Sequence, residues 1–467
     1  MDICLIAPPT VRVRYNTSGV YPMPPLGLAY IAAVLEKEGY GVEIYDMPAL
    51  KAGIPQLERY LDTKNFYIYG LTCNIFNIKY AVEIANFIKA RDKKSKIILG
   101  GRCTSLPPEA IFKLCDNLDI IVHGEGEQVM LELCKFFDNK DNEPGKIAGV
   151  KGISYKSNGK VIKTETAPFI DLDTLPAPAR YLLPNNRYKM HPPFGAYPPL
   201  TIMETSRGCA YKCSFCSLPA PVRERSVSNI ISEIKGLVSN YGIKEVHFVD
   251  PNFTYNPDRI KKLCNQMIED KINIHWSCKT RVDLVSQDLL RLMSQSGCYM
   301  VSYGVESGRQ DILGLLNKQI TTKNTLDAFE WTHKAGIRSL AYAIIGYPGE
   351  DDSAIEATKA LVHRINPDFV LYNEFFLIPG SPLANQYLLD NKLDYDGLVG
   401  FYFQEGSSDI SRTRYSGYLK RLNKAFYCRF SYVLMRIMKI RNLQDAANMV
   451  KGVAYLIIDK IRSKRIF

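Results

Sequence analysis

The chain of 467 residues has no run of 18 or more uninterrupted apolar residues, so a membrane-spanning helix is not expected. It opens Met1-Asp2-Ile3-Cys4-Leu5, with an acid where the cationic start of a secretory leader would stand, and no leader is expected. Internal repeats and low-complexity tracts are lacking. With 46% hydrophobic and 23% charged residues, disorder over most of the length is excluded. The twelve cysteines lack the framed spacing of a disulfide scaffold; in a cytoplasmic protein they are expected to be reduced thiols or metal ligands. Net charge is missing from most of the chain. Residues 411–467 hold 14 Lys+Arg against Asp445 and Asp459, a net of +12 within an overall +11, and the remainder is at −1. That argues against nucleic-acid binding by the whole protein and gives the basic tail a local role.

In residues 1–135, apolar runs at 3–7, 42–45, 66–71, 97–99 and 120–122 alternate with helical patterns at 26–38, 80–91, 109–114 and 128–137. Continuous apolar strands between helices predict a parallel sheet covered on both faces. Five of them suit a flavodoxin-like, Rossmann-type domain, which binds ligands at the carboxyl ends of its strands. Asn158-Gly159 signals a hairpin over 149–161, and a Pro- and Tyr-rich run to Pro199 reads as a connector. Alternation resumes over 199–383, with strands predicted at 200–204, 245–249, 272–277, 299–303, 338–345 and 369–376. Six βα units fit a partial barrel as well as an open sheet.

The most informative stretch is Thr205-Ser206-Arg207-Gly208-Cys209-Ala210-Tyr211-Lys212-Cys213-Ser214-Phe215-Cys216. Three thiols follow a predicted strand end at spacings of four and three; the next cysteine is Cys264, and no histidine is closer than His191. Structural zinc normally takes four protein ligands, whereas three thiolates on a cuboidal iron–sulfur cluster leave one iron open. Gly208 permits close backbone approach, and Phe215 can keep a cluster dry. Spacing alone leaves two other readings: free buried thiols grouped by chance, and a zinc knuckle with a remote fourth ligand.

The pattern C-x-x-x-C-x-aromatic-C after a strand resembles the signature of the radical S-adenosylmethionine (SAM) superfamily. Four later segments resemble that family in the right order. His247-Phe248-Val249-Asp250-Pro251-Asn252-Phe253-Thr254 is similar to the second-strand segment near the SAM amino group. Tyr303-Gly304-Val305-Glu306-Ser307-Gly308 is similar to the segment whose Glu lies near the ribose. Ile344-Ile345-Gly346-Tyr347-Pro348-Gly349-Glu350 is similar to the segment beside the adenine, and Phe376-Leu377-Ile378-Pro379-Gly380-Ser381-Pro382-Leu383 to the sixth-strand exit. The resemblance implies a 4Fe–4S cluster on Cys209, Cys213 and Cys216, with SAM contacts at Phe215, Asp250, Glu306, Ser307 and Gly346. It also implies cleavage of SAM to methionine and a 5′-deoxyadenosyl radical, fed by an external one-electron reductant, flavodoxin or ferredoxin.

The N-terminal part resembles the cobalamin-binding domain of one class in this superfamily. That class includes the anaerobic magnesium-protoporphyrin monomethyl ester cyclases and the hopanoid and phosphinate C-methylases. The resembling features are Ala7-Pro8-Pro9, residues 24–32, Leu99-Gly100-Gly101 and Gly124-Glu125-Gly126-Glu127. Residues 172–180 resemble its linker and 426–432 its helical extension. Implied cobalamin contacts are Thr72, Gly100, Gly101, Thr104, Gly124 and Glu125; Thr72 and Thr104 could equally be helix caps. The D-x-H-x-x-G motif that ligates cobalt is missing, and His123 is the only histidine in residues 1–135. A domain that has lost cobalamin and only packs therefore stays open.

The tail interleaves Arg and Lys with Tyr427, Phe430, Tyr432, Val433, Leu434, Ile437 and Ile440 near helical spacing. Packing on the barrel is the preferred reading; peripheral attachment to an anionic membrane is the alternative. The expected organisation is a cobalamin-binding-like domain (1–138), a hairpin and connector (139–198), a partial (β/α)6 TIM-type barrel (199–390) and a basic helical extension (391–467). The expected activity is C-methylation of an unactivated carbon of a small-molecule or lipid-like substrate. The alternatives are cyclisation or oxidation on the same architecture, and a non-catalytic iron–sulfur binding or sensor protein. The expected location is cytoplasmic, with membrane association through the tail as an option. No motif identifies the substrate.

Overall fold

The computed structural model describes residues 1–10, 22–139, 144–190, 194–218, 221–390, 414–440, 442–447 and 450. They form two compact units. The first holds Met1–Tyr188, with Phe215–Ser217 and residues from Leu377 to 390. The second holds Lys189–Ser214, Leu218–Phe376 and the described residues from 414 onward.

The first unit runs β1 (Asp2–Ala7), α1 (Leu26–Lys37), β2 (Gly41–Asp46), α2 (Met47–Leu50), α3 (Ile54–Leu61), β3 (Ile68–Thr72), α4 (Ile78–Arg91), β4 (Lys96–Gly100), α5 (Pro108–Leu114), β5 (Ile120–Val122) and α6 (Gly126–Asp138), then the hairpin β6 (Ile153–Ser157) and β7 (Lys160–Lys163). Its strand order is β2-β1-β3-β4-β5-β6-β7, with β1 to β5 parallel. The first five follow the flavodoxin order. β1 is central because Ile3 to Ala7 are apolar on both faces, and all five are buried. The hairpin turns at Asn158 (φ 49°) and Gly159 (φ 75°), as the sequence predicts, and β6 pairs antiparallel with β5. The expected connector thus begins by extending the sheet. The sequence reading did not include α2 and α3. Prolines in their first turns disguise them; Asp46 accepts from Ala49 N at 3.1 Å, and Leu57 and Leu61 fill the core four residues apart.

The second unit carries β8 (Leu200–Met203), the short pair β9 (Ser206–Arg207) and β10 (Arg223–Glu224), α7 (Val227–Tyr241), β11 (Glu245–Phe248), α8 (Pro257–Glu269), β12 (His275–Thr280), α9 (Gln287–Gln295), β13 (Cys298–Glu306), α10 (Gln310–Leu315), α11 (Thr322–Lys334), β14 (Arg338–Ile345), α12 (Asp352–Ile365) and β15 (Phe369–Glu374). Its six-stranded sheet is β15-β14-β13-β12-β11-β8, every pair parallel and in chain order. Sequential parallel winding without pairing of the first and last strands is a partial TIM-type barrel, not a doubly wound sheet. The third barrel strand starts at His275 rather than at 272. Lys271 ends α8 at φ 51°, Ile272 N bonds back to Met267 O, and Ile274 is buried in the turn.

A further helix, α13 (Pro382–Asp390), closes the part assigned to the first unit; α14 (Arg414–Tyr427) and α15 (Phe430–Met438) belong to the second. The described tail packs on the barrel, as the preferred reading has it. Tyr427 OH donates to Val370 O (2.6 Å) and accepts from Val370 N (3.0 Å) on β15. Arg338, fully buried on β14, is ion-paired with Asp445, and Tyr432 OH donates to Asp368 O at 2.9 Å. The remainder of 391–467 lies outside the described residues. Among the described residues no helix is long and apolar enough to cross a membrane.

Candidate functional site

The carboxyl ends of the barrel strands carry the residues singled out above. At the exit of β8 the chain is braced from several sides. Asp250, just beyond β11 and buried, accepts from Thr205 N (3.1 Å), Thr205 Oγ1 (2.8 Å) and Ser206 Oγ (2.5 Å). Arg259 donates to Thr205 O (3.1 Å), and Arg225 to Glu204 O (2.7 Å); both are buried and ion-paired, with Glu224 and Glu233 respectively. Asp250 was expected at a SAM contact. Its carboxylate holds the root of the cysteine loop.

The loop that follows is tied to the segment after α10. Asn317 Nδ2 donates to Lys212 O (2.6 Å), Ser214 N to Leu316 O (3.0 Å) and Ser214 Oγ to Leu315 O (3.0 Å). Tyr347 OH meets Ser214 Oγ at 2.9 Å. Arg281, held by Asp283, lies 3.6 Å over the Tyr211 ring, a cation–π contact on the loop's outer turn. Cys209 and Cys213 are buried, Cys216 is half-buried, and none is in a disulfide. Asn252 Nδ2 donates to Cys209 Sγ at 3.2 Å. Among the described residues no three His, Cys, Asp or Glu side chains converge as a single metal ion requires. A cuboidal cluster takes each thiolate on a different iron, so its ligands need not meet at one point. The soft three-sulfur donor set fits such a cluster.

Glu306 sits at the end of β13, where the register with β14 slips, at φ 63°. A left-handed non-glycine residue costs about 1–3 kcal/mol and is held only where its surroundings insist. Here the hold is Lys318, whose Nζ lies 2.7 Å from Glu306 Oε1 with both side chains buried. A side chain at Gly304 would run into that pair. Ser307, also expected at SAM, is buried with its hydroxyl 3.3 Å from Thr358 Oγ1. Gly346 (φ 90°) donates its N–H to Glu350 Oε2, and burial pushes the Glu350 carboxyl upward. The Tyr415 ring of α14 packs where a Gly346 side chain would stand.

In the first unit, Thr72 and Gly100 are register partners at the carboxyl ends of β3 and β4, and Gly101 follows at φ 101°. Thr104 lies inside the next turn (Arg102–Ser105), its Oγ1 donating back to Gly101 O at 2.9 Å. Gly124 (φ 78°) has open space where a side chain would be, and Glu125 precedes α6. Five of the six expected cobalamin contacts thus lie at or just past strand ends, with open space beside Gly124. His123 Nε2 lies 2.7 Å from Ser154 Oγ, and burial lowers its pKa.

Asn252, Lys318, Tyr211, Arg281 and Asn317 were not among the expected site residues. Asn252 stands two positions after Asp250 in a segment already quoted, so a signal existed. Lys318 is 12 residues beyond Glu306, across α10, and carries no local mark.

The Radical SAM superfamily model matches residues 203–362, and the B12 binding domain model matches residues 15–134. The chain is 31% identical over 402 residues to an uncharacterized methyltransferase of Pyrococcus horikoshii, covering 84% of each chain. It is 25% identical to an anaerobic magnesium-protoporphyrin IX monomethyl ester cyclase of Cereibacter sphaeroides, over 80% of this chain and 63% of the relative. Among solved structures it is similar to the radical S-adenosylmethionine methyltransferase TsrM from Kitasatospora setae, with cobalamin and [4Fe-4S] cluster bound. The TM-score is 0.69 at 18% identity, over 83% of this chain and 78% of the other; at that identity the likeness is one of fold.

Proposed function

The chain belongs to the radical SAM superfamily, in the class carrying a B12 binding domain, and from that membership we propose that it methylates an unactivated carbon of a small-molecule substrate. SAM, one 4Fe–4S cluster and cobalamin are its cofactors, and an external one-electron reductant, of flavodoxin or ferredoxin type, completes the reaction. When bound, the cluster supplies the electron that breaks SAM into methionine and a 5′-deoxyadenosyl radical, and cobalamin supplies the methyl group.

The proposed cluster ligands are Cys209, Cys213 and Cys216. What carries this reading is the braced loop: three unbridged thiols on a strand exit pinned by Asp250, Arg259 and Asn317, with an amide N–H on Cys209. Pinning keeps the thiols oriented without reorganisation. The SAM contacts proposed are Phe215, Glu306 and Gly346, with Asp250 and Ser307 acting behind them as positioning residues. Glu306, fixed by Lys318, can accept hydrogen bonds from a ribose without moving. Cobalamin contacts are proposed at Thr72, Gly100, Gly101, Thr104, Gly124 and Glu125. With His123 engaged by Ser154, no histidine of this domain is proposed for the cobalt. Residues 1–138 are proposed as the cobalamin domain, 139–198 as the connector, 199–390 as the barrel core and 391–467 as the extension. A lipid-like substrate accords with a tail able to approach a bilayer.

The test is anaerobic reconstitution of the full chain. Brown, iron-loaded protein that converts SAM to 5′-deoxyadenosine is expected, with cluster lost in Cys209→Ala, Cys213→Ala and Cys216→Ala. Iron-free protein holding stoichiometric zinc would sink the reading. Similarity to a cyclase favours a second reading, a radical reaction without methyl transfer. Label from SAM methyl appearing in product separates the two.

A further inference from the structure

Helix α15 is amphipathic in the opposite sense from a helix on a soluble protein's surface. Its inward face is polar. Tyr432 and Arg436 are buried against the barrel, and the following Lys439 has its Nζ 2.9 Å from Asp368 Oδ1. Arg436 Nη1 stands 3.5 Å from the same carboxylate, with its guanidinium 4.4 Å from the Phe369 ring. Its outward face is apolar. Phe430 (84% exposed), Val433 (45%), Leu434 (47%), Ile437 (53%) and Met438 (72%) recur at spacings of three and four, and Leu443 beyond it is 90% exposed. Single exposed apolar residues are ordinary, but a contiguous stripe marks a contact surface. The anchoring at Asp368 fixes which way the stripe points.

We propose that this stripe docks on the surface of an anionic lipid bilayer. Charge selects the occupant. Lys420, Arg421 and Lys424 are exposed on α14, and the sequence from 451 on adds Lys451, Lys460, Arg462, Lys464 and Arg465 against Asp459 alone. A second copy would bring two segments of net +12 together, whereas an anionic membrane complements them. A short apolar face inserted at headgroup depth, flanked by basic residues, gives reversible peripheral binding. This surface is independent of the cofactor chemistry: its anchors, Asp368 and Arg338, stand at the amino ends of β15 and β14, away from the strand ends that carry the site.

The experiment is co-sedimentation of the full-length protein with vesicles of phosphatidylglycerol and phosphatidylcholine, or of phosphatidylcholine alone, at low and high salt. Wild-type protein is expected to pellet with the anionic vesicles, less with neutral ones and less at high salt. Val433→Glu/Ile437→Glu is expected to lower partitioning by about tenfold or more, with unchanged thermal melting. Val433→Ser/Ile437→Ser, a gentler change at the same exposed positions, is expected to fall between. Wild-type protein staying in the supernatant would overturn the proposal, as would variants that bind undiminished. A wild-type dimer that the same variants split, without vesicle binding, would overturn it in favour of self-association.

Discussion

The Asn252 side-chain amide donates a hydrogen bond to Cys209 Sγ across 3.2 Å, from the segment after the second barrel strand to the first thiol of the cysteine loop. A donor on a ligating sulfur favours the more negative, reduced state of a cluster. If the bond is worth about 1 kcal/mol more in that state, the potential is raised by about 40 mV. Asn252→Leu is expected to keep its iron and lower the midpoint potential by that order, read by EPR-monitored titration. An intact cluster at unchanged potential would show that the amide does not tune it.

Glu306 and Lys318 form a buried pair, and removing one partner leaves the other charge unpaired. Lys318→Met is expected to cost about 3–5 kcal/mol in urea unfolding, and Glu306→Gln/Lys318→Met to recover much of it. The refolded double variant is expected to bind SAM more weakly by calorimetry. Undiminished SAM affinity would remove Glu306 from the proposed contacts.

Asp445 answers the charge of Arg338, which is buried deep in the barrel sheet. Asp445→Asn is expected to destabilise the protein by about 3 kcal/mol and expose residues after 413 to limited proteolysis. Wild-type protease resistance would show that the ion pair is not what holds the tail.

His123 and His333 are both half-buried, with pKa values below the ordinary histidine value, desolvation being the main cause. The folded state then binds fewer protons than the unfolded chain, so stability rises with pH in this window. It is fully present above the unfolded value near 6.5 and lost as pH falls from there toward the depressed folded values. Thermal melts are expected to drop between neutral and mildly acidic pH. His123→Gln/His333→Gln is expected to flatten that slope; a slope unchanged in the double variant would assign it to other groups.

The strand alternation was legible because buried parallel strands write unbroken apolar runs, and β1, β5 and β14 fall where those runs are. Helices α2 and α3 were hidden because proline in a first turn reads as a breaker when taken alone. The three cysteines stood out by spacing. What braces them did not, since Asn317 reaches the loop from beyond the end of α10, and no periodicity links it to the cysteines. The roles of Asp250 and Ser307 depend on depth: a carboxylate or hydroxyl near a strand exit reads the same whether it faces a ligand or the neighbouring backbone. The tail's basic charge was plain. That its polar face turns inward was not, because Asp368, the group that draws it there, lies on another element.

The phenol of Tyr427 bonds both the N–H and the C=O of Val370 on the outermost barrel strand. A sheet wound only partway round ends in unpaired backbone, and such a rim is an open template for another chain's strand. One side chain from the tail occupies that template near its start. Shortening the protein before Tyr427 would therefore do more than trim a basic appendage: it would uncover a sticky rim, and the truncated enzyme should be prone to rim-to-rim aggregation.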